Sequence, residues 1–373
     1  MLGETVERIQ RLIAGSGLNQ AAFAAKAGLD ASKFSKSMNG VRRFTSLELA
    51  RIADVGDVTV DWLLGVDKSV PALAARTRES AATSEAQAIA EADRLAQHWS
   101  DLASLGYRQP STVLDAVPQR GLSIDQGHRL AELALARAAD RGVEPWRVRD
   151  LSTVVEGVFG IDVRIMRFPR GYEGLSWADD NSRLMVVGTS DIPARQRFTI
   201  AHELGHLLAR DDQGLHLDPD LSDTAHKKKP SEIKANAFAT RFLLPQELLE
   251  EEAGRITWSD HSFASLACDL WVSPVNLAWR LYNLGLIDRR QCDAFVRMRS
   301  LDAAVLTNRL DSYWEWLATA GQPRLPVPLL RTSFQAYRDG KTTLRPFANL
   351  LGTETATIRA AMDGAREESP LSP

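Results

Sequence analysis

Within the stretch RQRFTIAHELGHLL, residues 195–208, His202 and His206 stand four positions apart, and Glu203 directly follows the first. On a helix, side chains four apart lie one above the other, so both imidazoles can address one metal ion while the glutamate reaches the same side. Zinc takes neutral imidazole nitrogens readily, and a catalytic site keeps one position for water, whose proton Glu203 can accept. The chemistry implied by this H-E-x-x-H spacing is amide hydrolysis. So short a pattern arises by accident in very roughly one chain in a hundred of this length, and its setting has to carry part of the argument. Phe198, Ile200, Leu204, Leu207 and Leu208 supply that setting, an apolar flank that would bury the helix as a rigid site needs.

A third donor must come from elsewhere, and Asp212, His216, His226 and Glu232 compete for the place. Asp212 sits where some compact metalloproteases carry an aspartate, yet Ala209 stands at the position where a glycine would let the chain leave its helix. His216 and His226 fall in a polar, Lys-rich segment. Glu232 is favoured because it opens SEIKANAFATRFLLP, in which Ala235, Phe238, Ala239 and Phe242 can pack closely on the first helix and bring the carboxylate to the metal. Two histidines and one carboxylate suit zinc, and also manganese. His216, His226 and Tyr172 are unranked candidates for stabilising an oxyanion.

The elements that must position these residues are legible around them. Pro193 starts the helix at the position where a missing N–H costs nothing. Before it, IDVRIM, GLSW and RLMVVG read as strands, the last two separated by the turn residues Asp179, Asp180 and Asn181, which predicts a small antiparallel sheet. Ser123 and Gln126 predict a capping box for a helix running to about Arg141, and Pro145 a further helix ending near Gly157.

RFTIAHELGHLL followed by E-x-x-A-N-x-F-A and LLP resembles the ImmA/IrrE family of metallopeptidases over roughly residues 145–287. The resemblance implies zinc ligands at His202, His206 and Glu232 and a catalytic glutamate at Glu203. It also implies a regulatory protein, a repressor or an antitoxin, as the substrate.

The chain of 373 residues is too long for one ordinary core, and 44% hydrophobic with 25% charged residues is average for a globular protein. Two or three domains are expected, in a mainly α fold with a small antiparallel sheet (α+β). No apolar run approaches the roughly 20 residues of a membrane span, and MLGETVERIQRL lacks the apolar core of a signal peptide, so a cytoplasmic location with no membrane partner is expected. With only Cys268 and Cys292, a disulfide framework and a cysteine-rich zinc site are excluded. The net charge of −3 gives no global attraction to nucleic acid.

From Glu4 to Gly65 the sequence reads as five short helices, with turns at Gly17, Gly28 and Gly40 and caps at Asn19 and Asp30. In ASKFSKSM, Phe34 and Met38 are spaced to face inward while Ser32, Lys33, Ser35 and Lys36 face outward. NQAAFAAKAGLDASKFSKSMNG resembles the lambda-repressor-like (XRE-type) helix-turn-helix family over about 65 residues. That resemblance implies double-stranded DNA as a partner, with Gln20 near a phosphate, Ser32, Lys33 and Lys36 toward base edges, and Arg42 and Arg43 on phosphates. No Gln, Asn or Arg stands on that outward face for bidentate base reading, so no target sequence follows.

The expected organisation is an XRE-type domain at 1–70, a linker helix at 71–120, a metallopeptidase domain at 121–290 and a helical region at 291–373 without recognisable chemistry. The linker stripe of Ile89, Ala92, Ala96, Trp99 and Leu102 could pack on the next domain or on its own copy, and a homodimer would suit a reader of two half-sites. A second helix pair, SFASLACDLWVSPVNLAWRLYNLGLI, reads as core through Leu266, Leu270, Trp271, Leu277, Trp279 and Leu281. Trp314 and Trp316 followed by GQPRLPVP predict an internal boundary, and a polar tail is expected from Gly364. Two functional classes remain, a DNA-recruited zinc protease and a transcription factor whose peptidase fold serves as a sensor or dimerisation body.

Overall fold

The computed structural model describes residues 2–56, 63, 82–110, 121–168, 172–210, 215–218 and 229–367. They fall into two compact units, Met1–Ala75 and Arg76–Pro373.

In the first unit α1 (Leu2–Ser16), α2 (Gln20–Lys26), α3 (Ala31–Met38) and α4 (Ser46–Gly56) enclose Ile9, Phe23, Phe34, Met38, Leu49 and Ile52. Asn19 and Asp30 take the main-chain N–H of Ala22 and Lys33 at 2.9 and 2.8 Å, so each helix starts where its cap satisfies an otherwise unpaired donor. The fifth helix expected around Val60–Leu64 lies outside the described residues apart from Leu63, which is buried in this core.

The second unit is built on a mixed four-stranded sheet: β1 (Asp162–Met166), β2 (Gly174–Ala178), β3 (Arg183–Gly188) and β4 (Leu215–Asp218), in the order β1-β3-β2-β4. The sheet is not purely antiparallel as expected, because β2 and β3 form the hairpin and β1 adds beyond β3, in parallel with it. Asp179 Oδ1 accepts from the amides of Asn181 and Ser182 and fixes that hairpin turn.

Both sheet faces are apolar and both are covered. Along β3, Met185 and Val187 face one layer, whereas Leu184 and Val186 face the other, the alternation of period two. The first layer contains α6 (Ser123–Ala139), α8 (Pro193–Ala209) and α9 (Pro230–Leu243). The second is α5 (Ala82–Ser104), whose Ala88, Ala92, Leu95, Ala96, Trp99 and Leu102 pack on the sheet beside α16 (Val327–Arg338) and α17 (Arg345–Leu351). The helix read as a linker thus closes a sheet face, which is why it carries an apolar stripe at all.

Between α6 and β1 lie a short turn at Pro145–Arg147 and α7 (Leu151–Val154), which widens into a π turn, Val155–Phe159. The single helix predicted from Pro145 to Gly157 is therefore broken, and Gly160 (φ 66°) ends it. The Ser123–Gln126 capping box does not form: Ser123 is already the first helical residue, and the Gln126 amide donates to the Gly121 carbonyl.

After α9 the chain continues through α10 (Gln246–Arg255), α11 (Asp260–Asp269), α12 (Pro274–Asn283), α13 (Arg289–Phe295), α14 (Ser300–Leu306) and α15 (Leu310–Ala320). Trp279 is not core; it is 39% exposed with the Arg289 guanidinium over its ring. GQPRLPVP is not a boundary either. Arg324 exchanges two main-chain bonds with Ile165 at the β1 edge, and its guanidinium holds Glu156 at 2.6 Å, which pins the C-terminal helices to the sheet. The last helix is α18 (Thr355–Glu367); it takes in the first residues of the polar tail expected from Gly364, whose remainder lies outside the described residues. Among the described residues no helix is long and apolar enough to cross a membrane.

Candidate metal centre

Pro193 occupies the first position of α8, and the helix ends at Ala209 because Arg210 turns into the left-handed region (φ 53°). Glu203 and His202 are fully buried and His206 is 6% exposed. Gly205 lies between the two histidine turns on the side facing α9. A methyl group there would come within 3.0 Å of Phe238 Cδ1 and 3.3 Å of the Ala235 Cα. A side chain there would press on Phe238 and the α9 backbone, so the glycine favours this close helix–helix approach, which brings the first turn of α9 to the histidines. Gly127 does the same on the other flank, where an added Cβ would fall 2.3 Å from the Lys234 carbonyl oxygen.

Glu232, third residue of α9 behind Pro230, is 4% exposed. Its Oε2 is 3.3 Å from His202 Nε2 and its Oε1 is 3.5 Å from His206 Nε2, while the two Nε2 atoms are 3.0 Å apart. Donors about 2.05 Å from a tetrahedral ion are separated by about 3.3 Å, so these three separations fit one first-row cation held by all three side chains. Among the described residues this is the one group of three such donors close enough to share an ion.

Glu203 faces β2. A Cβ on Gly174 would lie 2.9 Å from Glu203 Oε1 and 3.0 Å from Thr199 Cγ2, so the strand passes against the carboxylate and holds it in place. Gly174, Gly205 and Gly127 were not singled out from the sequence. A glycine interrupting a strand pattern, as Gly174 does, is the signal that could have marked a close approach.

Of the other candidates, Asp212 and His226 lie outside the described residues. The His216 main chain pairs with Ser176 in the sheet, its side chain again outside the described residues. Tyr172 is 9% exposed beside Phe168, with ring centres 4.5 Å apart.

In the first unit Gln20, Ser32, Lys33, Lys36 and Arg43 are all exposed. Arg42 differs from the others. Its guanidinium is committed to Glu48 and to Ser37 Oγ, and the hydrogen bond from Arg42 holds the Glu48 carboxyl below its ordinary range.

Two imidazoles and a carboxylate closing on one point, with a further buried carboxylate beside them on the same helix, define a metallopeptidase-type centre. Residues 156–282 match the family model of the IrrE N-terminal-like domain, of the Peptidase M78 family. Over 134 residues, 36% of this chain, the sequence is 29% identical to the radiation response metalloprotease IrrE of Deinococcus radiodurans and 28% identical to that of Deinococcus deserti. The match spans 40% and 47% of those two proteins, less than half of either. The second unit carries a metallopeptidase domain.

Proposed function

We propose that the chain is a zinc-dependent endopeptidase whose second unit cuts a regulatory protein and whose first unit binds double-stranded DNA. His202, His206 and Glu232 hold the ion; when bound, it lowers the pKa of water and polarises a peptide carbonyl. Glu203 takes the proton from the attacking water and returns one to the leaving amine, the two proton transfers that hydrolysis of an amide requires. Burial keeps that carboxylate away from bulk solvent, and Gly174 leaves it room at the start of β2.

The observation that carries the reading is the triangle of 3.0, 3.3 and 3.5 Å between two imidazole nitrogens and the Glu232 oxygens, next to a buried Glu203. A protein as substrate is supported by the likeness to two proteins called radiation response metalloproteases, and a repressor or antitoxin is what the resemblance of RFTIAHELGHLL and E-x-x-A-N-x-F-A to the ImmA/IrrE family implies. DNA binding is supported by the exposed Ser32, Lys33 and Lys36 on a properly capped α3, with Gln20 and Arg43 nearby in sequence for phosphates. Arg42, tied to Glu48, serves better as an internal brace than as a free phosphate contact.

The test compares the zinc-loaded chain with its Glu203→Gln variant on a peptide mixture read by mass spectrometry. Cleavage is expected to fall about 10³-fold with zinc content unchanged. Equal cleavage, or none in either protein together with an unchanged transcriptional response in cells, would replace this reading with a sensor or dimerisation role for the peptidase domain.

A further inference from the structure

The side of α8 turned away from the metal ligands carries a second constellation. Pro193, Gln196, Arg197 and Ile200 repeat at helical spacing and line a cavity of about 340 Å³, closed by Ser152, Ile165 and Trp316. Arg197 lies five residues before His202, which on a helix places it about 140° around the axis from that ligand. The metal chemistry uses none of these groups.

Arg197 is the anomaly. It is 2% exposed, and among the described residues no carboxylate pairs with it. Its terminal nitrogens donate to the carbonyls of Pro145 at 2.6 Å, Val148 at 3.0 Å, Leu270 at 3.2 Å and Trp271 at 3.4 Å, yet its Nε has no hydrogen-bond partner. Burial alone pulls the guanidinium down to about 9, which measures how poorly the positive charge is compensated. Ser152, also fully buried and on the same wall, has a hydroxyl without a partner.

The other charges at the wall are already matched. Arg324 holds Glu156, Arg149 meets Glu315 at 2.8 Å, and Asp150 turns its carboxylate to the Ser152 amide. One buried cation and two unanswered donors are left over, and a buried donor without an acceptor destabilises the fold until one arrives. Ile165, Pro193, Ile200 and Trp316 give the cavity an apolar side, while Gln196, Thr319 and Gln322 leave the rest of its wall polar.

We propose that this cavity binds a small organic carboxylate, its carboxyl group accepting from Arg197 and Ser152 and its apolar body lying against Ile165, Ile200 and Trp316. Because Arg197 belongs to α8 and also ties the 145–148 and 270–271 segments to it, occupancy would stiffen the helix that carries the metal ligands.

Benzoate is the probe, titrated calorimetrically into the full chain, with inorganic phosphate as the second arm. One benzoate per chain is expected, with a Kd below about 1 mM. Ser152→Ala forfeits no internal hydrogen bond, so it should fold normally while weakening benzoate about 10-fold. His202→Ala should leave benzoate affinity unchanged, which separates this cavity from carboxylate binding at the metal. Absence of benzoate heat, equal affinity in Ser152→Ala, loss of binding in His202→Ala, or phosphate binding as well as benzoate would each overturn the proposal.

Discussion

The metal centre and the outward face of α3 are opposite kinds of site. At the first, every candidate side chain is at least nine-tenths buried, and its position is decided by neighbours: Gly205 against Phe238, Gly174 against Glu203, Pro230 ahead of Glu232. At the second, Ser32, Lys33 and Lys36 stand in solvent, and only the helix beneath them is fixed, by Asp30 and by Phe34 and Met38. A buried polar cluster has to be explained by what it holds, because burial without a partner is costly. An exposed basic face is compatible with a partner and nothing more, since its charges are solvated at no cost.

This contrast can be broken by experiment, most strongly through buried charge. Asp162 is fully buried at the start of β1, and burial, offset in part by the Trp99 indole N–H, pushes its carboxyl up to about 7. Between about pH 4 and pH 7 the folded chain therefore holds a proton that the unfolded chain has lost, and stability declines as pH rises through that window, then levels off. Asp162→Asn should remove the decline, gaining up to about 4 kcal/mol over wild type between pH 4 and pH 8 in denaturant unfolding of the second unit. The same difference at both pH values would mean that the carboxyl is not suppressed.

A smaller effect is expected where packing, not charge, is disturbed. Gly205→Val drives a side chain into Phe238 and Ala235, and should cost about 1–3 kcal/mol of stability. It should also weaken zinc binding, measured by competition with a chelator, because Glu232 is carried outward with α9. Unchanged zinc affinity would show that the close helix contact does not set the ligand geometry. At the exposed site the expected change is smaller still. Lys36→Ala should weaken DNA binding several-fold and reduce the slope of log K against log salt by about 0.9. An identical slope would point to a protein-binding surface instead.

The same division governs what the sequence disclosed. The grouping of His202, His206 and Glu232 was legible because helical spacing, and an amphipathic helix opening on a glutamate, constrain residue type and place together. Asn19 and Asp30 were legible because a cap is a local event. The parallel β1–β3 pairing was not, since strand order depends on which edge of a finished hairpin a distant strand joins. The role of α5 was hidden for a related reason: its stripe of Ala92, Ala96 and Trp99 declares that something covers it without saying what. Arg324 sat inside a proline-rich stretch that reads as a break, and only the edge of β1 and Glu156 give it a purpose. Arg197 carries no sequence signature, because an arginine in a helix is ordinary until its burial is seen.

The central claim is that two imidazoles and the Glu232 carboxylate share one cation. Elemental analysis after dialysis against a limiting zinc buffer tests it most directly, with wild type and Glu232→Ala compared side by side and folding checked by circular dichroism. Near one zinc per chain in wild type and little in the variant is the predicted result; full retention in folded Glu232→Ala would contradict it.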